Sequence, residues 1–236
     1  MTETLVIDLK YNGPPSSGHG GYVSGVLARL LGANPAEVTL RLPPPLGRPL
    51  ALERESGGIQ MYDGEAMVAE GLAAEVEIAV PAPVSFDEAE DAAAGYPGLK
   101  HHPFPTCLVC GPMRQPQDGF RIFGGPVGEG DTMAAAWTPP GWSADDSGLV
   151  RPEFVWAALD CPGGWSLHVE MPGRHAVLGR IAAKLVAPVT AGEQHVVMSW
   201  PLAFEGRKGY AGSALFTEAG VLCAVARAAW IRIDRE

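Results

Sequence analysis

The chain has 236 residues, 47% apolar and 19% charged, which allows one large domain or two small ones with a real core and excludes disorder as a description of the whole. Lys and Arg number 17 against 27 Asp and Glu, a net charge of -10 without any basic run, so nucleic acid and membrane surfaces are disfavoured as partners. With no apolar stretch of membrane-spanning length and no signal-peptide pattern in Met1 to Leu9, a soluble, cytoplasmic protein is expected; four cysteines, two of them in one Cys-x-x-Cys, do not make a secreted disulfide framework.

Thr4 to Leu9 reads as a strand and Gly13 to Gly21 as a turn-rich loop. A helix is predicted over 22–31, because Val23, Val26, Leu27, Leu30 and Leu31 form one apolar stripe and Gly32 is a stop signal. Val38, Leu40 and Leu42 alternate with Thr39 and Arg41, the period of a half-buried strand, and Pro43 to Pro45 end it. Strands follow at Leu50 to Glu55 and Gly58 to Tyr62, then an Asp63-Gly64 hairpin turn and a long strand from Glu65 to Val80. The first half is therefore a strand, a helix and an antiparallel meander.

Residues Pro81 to Pro105 break the composition and read as a linker, acidic and Ala-rich at first and then rich in Gly and Pro. All four Cys and all six Trp lie beyond it. Gly119 to Phe123 and Thr132 to Trp137 read as strands. Glu153 to Asp160 is apolar on every side through Phe154 to Leu159, so periodicity does not separate a buried helix from a buried strand. An internal repeat decides for the helix. Leu178 to Val186 matches Glu37 to Leu42, Gln194 to Trp200 matches Leu50 to Glu55, and the hairpin from Ala214 to Ile233 matches that from Gly58 to Ile78. The chain is thus predicted to hold two units, 1–97 including the start of the linker and 98–236, with helices at 22–31 and 153–160.

A buried helix wrapped by an antiparallel sheet, twice in one chain, resembles the hotdog fold, an α+β class. Gly18-His19-Gly20-Gly21 running into a helix resembles the His-Gly-Gly turn of hotdog acyl-CoA thioesterases. Ala158-Leu159-Asp160-Cys161-Pro162-Gly163-Gly164 resembles the segment that carries their catalytic carboxylate. Cys107-x-x-Cys110-Gly111 with Asp118-Gly119-Phe120 is similar to the lead-in of some members. The resemblance implies a double hotdog, its two sheets forming one surface, that hydrolyses acyl-CoA or another acyl thioester. The carboxylate of such enzymes follows the turn's His at a distance that lands on Ala28 here, and the same distance back from Asp160 reaches Arg151. Each half has lost a different piece, which leaves one complete composite site and one dead one.

In that site Gly20 and Gly21, as the first N–H groups of a helix, are expected to polarise the thioester carbonyl. Asp160 attacks or activates water, and His19 orients the loop. Glu153 is read as a favourable contact with a helix start. Arg207 and Lys208, with Arg180 and Lys184, are the candidate contacts for coenzyme A phosphates. The cysteine pair is expected to be metal-free: His101 and His102 offer zinc-like spacing, but no fourth ligand is evident, and thiols packed beneath a loop are preferred. Cys161 beside Asp160 is a nucleophile in principle, without a positioned His in the sequence, and Cys223 reads as core. No cofactor is expected beyond coenzyme A as part of the substrate, and the assembly is a monomeric pseudo-dimer or a homo-oligomer of it. A dinucleotide site fails because Val23 stands at the third glycine position, and a serine hydrolase fails for want of Gly-x-Ser-x-Gly. A non-catalytic acyl-CoA or lipid-binding protein is the main alternative, and a hydratase or dehydratase a lesser one.

Overall fold

A computed structural model describes residues 3–128, 130–167 and 175–233. In the first unit β1 (Glu3–Val6) precedes α1 (Gly20–Leu31), β2 (Ala36–Leu40), β3 (Pro49–Glu55), β4 (Gly58–Asp63) and β5 (Ala66–Ala73). After a connection holding α2 (Phe86–Ala92) and the two-residue β6 (Gly125–Pro126), the second unit runs β7 (Met133–Trp137), α3 (Pro152–Ser166), β8 (His175–Leu185), β9 (His195–Glu205), β10 (Lys208–Thr217) and β11 (Leu222–Ile233). All the strands join one sheet in the order β1-β3-β4-β5-β2-β8-β11-β10-β9-β7-β6.

That order contains the repeat. Counting outward from the central β2·β8 pair gives β2, β5, β4, β3, β1 on one side and β8, β11, β10, β9, β7 on the other. The same connectivity is therefore laid down twice and joined antiparallel at the middle, Val38 opposite Ile181. Each unit on its own would expose an edge at β2 or β8. Pairing those edges satisfies both backbones and makes one continuous sheet.

α1 and α3 lie together on one face of the sheet, and α2 packs on the other face against β7 and β9. α1 begins at Gly20, two residues before the predicted start, because the His19 side chain caps it, and it ends as expected with Gly32 in the left-handed region at φ 76°. α3 is apolar all round because it is covered all round, by α1 and by β7 to β11. Its predicted end at Asp160 was too early: the helix continues to Ser166 through an internal Pro162. A proline in a helix removes a donor and crowds a carbonyl. Here the Ser213 and Ser199 hydroxyls, from the sheet below, donate to the Leu159 and Pro162 carbonyls at 2.7 and 2.8 Å. The sheet thus supplies partners that the helix sequence alone does not reveal.

Three other expectations are corrected. Residues 74–80 leave the sheet, since β2 begins at Ala36 and offers β5 nothing further to pair with; Val76 packs there on Ala182 and Val225. Residues 119–123 are not a strand, although Phe120 and Ile122 donate to the Leu108 and Val109 carbonyls at 2.9 Å each. The linker carries a helix, α2, started by a capping box between Ser85 and Glu88.

Candidate active site between the two helices

α1 and α3 approach so closely that two positions on α1 must be glycine. A Cβ on Gly21 would stand 2.5 Å from Asp160 Cβ, and one on Gly25 2.6 Å from Glu153 Cα. Gly21 and Gly25 are one helical turn apart, so they form a smooth seam along which α3 lies. The seam brings the start of α1 to the middle of α3, and there the predicted residues meet.

The Gly21 N–H donates to Asp160 Oδ2 at 2.7 Å. His19, fixed by its own N–H to Tyr11 O at 2.8 Å, accepts the Tyr22 N–H at Nδ1 at 3.2 Å and presents that same nitrogen 3.6 Å from Asp160 Oδ2. Both side chains are buried, and among the described residues Asp160 Oδ1 has no hydrogen-bond partner. Burial drives the Asp160 carboxyl up to about 6, against the opposing pull of His19 and of the Gly21 N–H. Burial also resists charge on His19, but Cys107 and Asp160 outweigh it and hold the imidazole above its ordinary value. Gly20, Gly21 and Asp160 are therefore brought together as the sequence implied, with one change of role. Gly21 N–H holds the carboxylate, which leaves Gly20 at the cavity as the group of the helix start that can face a carbonyl.

The cavity in front of this pair has a volume of about 550 Å³. Leu40, Phe104, Trp165, Leu178 and Trp230 supply apolar wall, and His19, Gly20 and Asp160 also line it. Arg41 also borders it and is ion-paired with Glu70. The proposed phosphate contacts do not border it. Ala182 packs on Val76 and Val225, on the face away from α1 and α3, while Ile181 and Ala183 pack in the main core; the period of two puts Arg180 and Lys184 with Ala182. Arg180 bonds Thr39 and Glu37, and Lys184 lines a groove with residues 76–80. Arg207 lies in the β9–β10 turn with Lys208 at the start of β10. Apolar residues in succession at 181–183 leave no alternation from which to read the face that Arg180 and Lys184 take.

The pseudo-symmetric position carries different groups. At the start of α3, where a His-Gly-Gly turn would stand, Arg151 caps without a side-chain bond and Pro152 follows. Glu153, read as a helix-start contact, is buried and accepts from Arg29 Nε at 3.1 Å. Glu153→Gln is expected to cost stability about 1 kcal/mol or less, since Arg29 is half exposed and the amide keeps a hydrogen bond. Turnover should stay within about two-fold of wild type, as for a substitution away from the reacting groups; a urea melt and an initial-rate assay check both.

Sequence reasoning missed what the cysteines do. Cys161 Sγ is 3.1 Å from His19 Nε2 and 3.6 Å from Cys107 Sγ, and all four cysteines are free, buried thiols. Gly111 lets the Cys-x-x-Cys loop close, for a Cβ there would meet the Cys107 backbone N and O at 2.6 Å. His102 accepts the Phe104 N–H at Nδ1, so its Nε2 proton faces Cys110 Sγ at 3.3 Å. Burial pushes the Cys107 thiol up, but hydrogen bonds from Cys110 and Cys161 and the nearby His19 bring it well below its ordinary value. Burial and the Cys107 neighbour push Cys110 and Cys161 well above theirs.

Solved structures share this architecture end to end. A putative thioesterase II from Thermobifida fusca is 16% identical, with a TM-score of 0.66 over 98% of this chain and 92% of its own. A tesB protein from Mycobacterium avium subs paratuberculosis is 11% identical, with a TM-score of 0.64 over 98% and 92%. A conserved protein described as having a hot dog fold, from Alicyclobacillus acidocaldarius, is 10% identical at 0.64 over 99% and 93%. This chain is a double hotdog. No family model matches it, and no curated protein sequence does. In this double hotdog the groups that meet at the glycine seam come from two helices of different units, α1 and α3. No described helix is long and apolar enough to cross a membrane.

Proposed function

We propose that this double hotdog hydrolyses acyl thioesters, acyl-coenzyme A foremost, at the single site formed by the start of α1 and Asp160 of α3. The observation that carries the reading is a buried carboxylate lining a largely apolar cavity, one of its oxygens without a hydrogen-bond partner among the described residues. Such a group is costly to bury without a task, and the equivalent position of the other unit is Ala28, which has no acid. The names of the structural neighbours, thioesterase II and tesB, agree with this chemistry.

In the reaction the acyl chain lies along the apolar wall and the carbonyl oxygen points at Gly20 N–H, where the positive end of the α1 dipole stabilises developing charge. Asp160 Oδ1 takes a proton from a water that adds to the carbonyl carbon. The C–S bond then breaks, the thiolate leaves with the proton returned from Asp160, and the carboxylic acid ionises in solvent. Gly21 N–H keeps Oδ2 fixed, so that only Oδ1 is free to act. Acyl-CoAs with short, long and aromatic acyl groups should release free thiol at rates that depend on the acyl group, measured with a thiol reagent. The alternative is a protein that binds acyl-CoA without cleaving it, favoured by the engagement of Gly21 N–H with Asp160, which occupies one of the two N–H groups expected at the carbonyl. Saturable binding of every acyl-CoA with no thiol release from any would replace hydrolysis by that reading.

A further inference from the structure

Hydrolysis leaves three buried thiols at the site without a task. Cys107, Cys161 and His19 come from the inter-unit connection, α3 and the cap of α1, and their ligand atoms lie within 4.8 Å of one another. The pair that suggested a metal in the sequence lacked ligands because only the adjacent His101 and His102 were in view. The fold brings Cys161 and His19 instead.

We infer that His19 Nε2, Cys107 Sγ and Cys161 Sγ form a binding site for a thiophilic divalent cation of the zinc class, set between the two hotdog units. Distances support it. Around a tetrahedral ion with sulfur at about 2.3 Å and nitrogen at about 2.0–2.1 Å, two thiolates stand about 3.8 Å apart and a thiolate and imidazole about 3.6 Å. The two sulfurs are already 3.6 Å apart, while the 3.1 Å between Cys161 Sγ and His19 Nε2 must open by roughly half an ångström. Charge supports it as well, because two thiolates and a neutral imidazole cancel a divalent ion, so the filled site is neutral in a buried place. Binding releases the two thiol protons.

The surroundings suit the ligands. A metal on Nε2 puts the imidazole proton on Nδ1, which then faces Asp160 Oδ2 at 3.6 Å in place of accepting the Tyr22 N–H. A carboxylate behind a metal-bound histidine fixes its ring and raises its basicity. Cys110, hydrogen-bonded to Cys107 and facing the His102 N–H, stands as an outer-shell partner. All three ligand residues line the cavity. The ion ties three separate segments together at the junction of the units, and it lies on the opposite side of the His19 ring from Asp160.

The test is Co2+ added to the reduced, chelator-treated full chain, and its readout does not depend on thioester cleavage. The expected result is a sulfur-to-cobalt charge-transfer band and tetrahedral visible bands that saturate at a single equivalent and are erased by Zn2+. Cys107→Ala and Cys161→Ala should each weaken Co2+ binding by on the order of 100-fold, while Cys223→Ala, whose thiol lies in β11 and faces Val221 O, should bind as wild type does. Wild-type protein that gives no charge-transfer band overturns the site without reference to any variant, and so does a Cys161→Ala protein that keeps the band unchanged.

Discussion

Replacing Asp160 by Asn is expected to lower acyl-CoA turnover by on the order of 10² or more, the scale of a lost general base, and at the same time to make the fold more stable. The first effect follows from the amide's inability to take a proton from water. The second follows from burial: the carboxylate is 2% exposed and its Oδ1 has no partner among the described residues, whereas an amide oxygen can still accept the Gly21 N–H without a buried charge. The gain should be about 1–3 kcal/mol at pH 8. Its pH dependence has a definite sign. The carboxyl rises from 3.8 to about 6 on folding, so the folded state holds the proton more tightly and wild-type stability falls as pH rises through that window. Below about pH 4 both proteins are neutral at this position and the advantage of the amide should vanish. Thermal melts of reduced, chelator-treated protein at pH 4 and pH 8, with initial rates at pH 8, check both parts. An Asp160→Asn protein that turns over at the wild-type rate removes Asp160 from the mechanism.

The same residue shows how far the sequence carries. Most strands and α1 were legible because their apolar periodicity is set by the sheet and seam they bury against, and the repeat settled α3 where periodicity was silent. Asp160 was legible as an acid on an otherwise apolar helix. Its partner was not, since nothing in Gly20-Gly21 distinguishes an N–H aimed at a carbonyl from one aimed at a carboxylate across a helix seam. The run to Ser166 was hidden because Pro162, Gly163 and Gly164 read as a stop. Their purpose is visible only with the sheet in place: a Cβ on Gly164 would stand 2.7 Å from the Trp230 ring, and serines of β9 and β10 serve the helix carbonyls near Pro162. The thiol cluster was hidden by distance along the chain, for Cys161 lies 54 positions from Cys107 and 142 from His19. Arg180 and Lys184 are exposed positions of β8 outside the cavity lining, and their side of the strand was not legible because Ile181, Ala182 and Ala183 between them are apolar in succession, which leaves no alternation to assign it.

Gly21→Ala should be the most damaging single methyl in the α1 seam. Its Cβ would lie 2.5 Å from Asp160 Cβ and 2.8 Å from Trp156 O. Neither is the far end of a flexible side chain, so α1 and α3 must separate. Overpacking of this kind costs about 1–3 kcal/mol, and the separation breaks the Gly21 N–H bond that holds Asp160, so turnover should fall about as far as in Asp160→Asn, on the order of 10². Gly25→Ala supplies the control within the same seam. Its Cβ meets Glu153 Cα at 2.6 Å and Trp156 Cβ at 2.8 Å, one turn away from the carboxylate, so it should cost comparable stability while leaving more of the turnover. Gly20→Ala tests the helix start from the cavity side, where the obstacles are Leu178 at 2.9 Å and Leu40 at 3.2 Å, both side chains. It should unfold at nearly the wild-type urea concentration and lose rate by hindering the approach of a carbonyl to its own N–H. Urea midpoints and rates for the three variants separate packing from chemistry. Equal losses of rate in Gly21→Ala and Gly25→Ala, in proportion to stability, would mean that the seam matters to the fold alone, and a wild-type midpoint for Gly21→Ala would mean that the helices do not meet there.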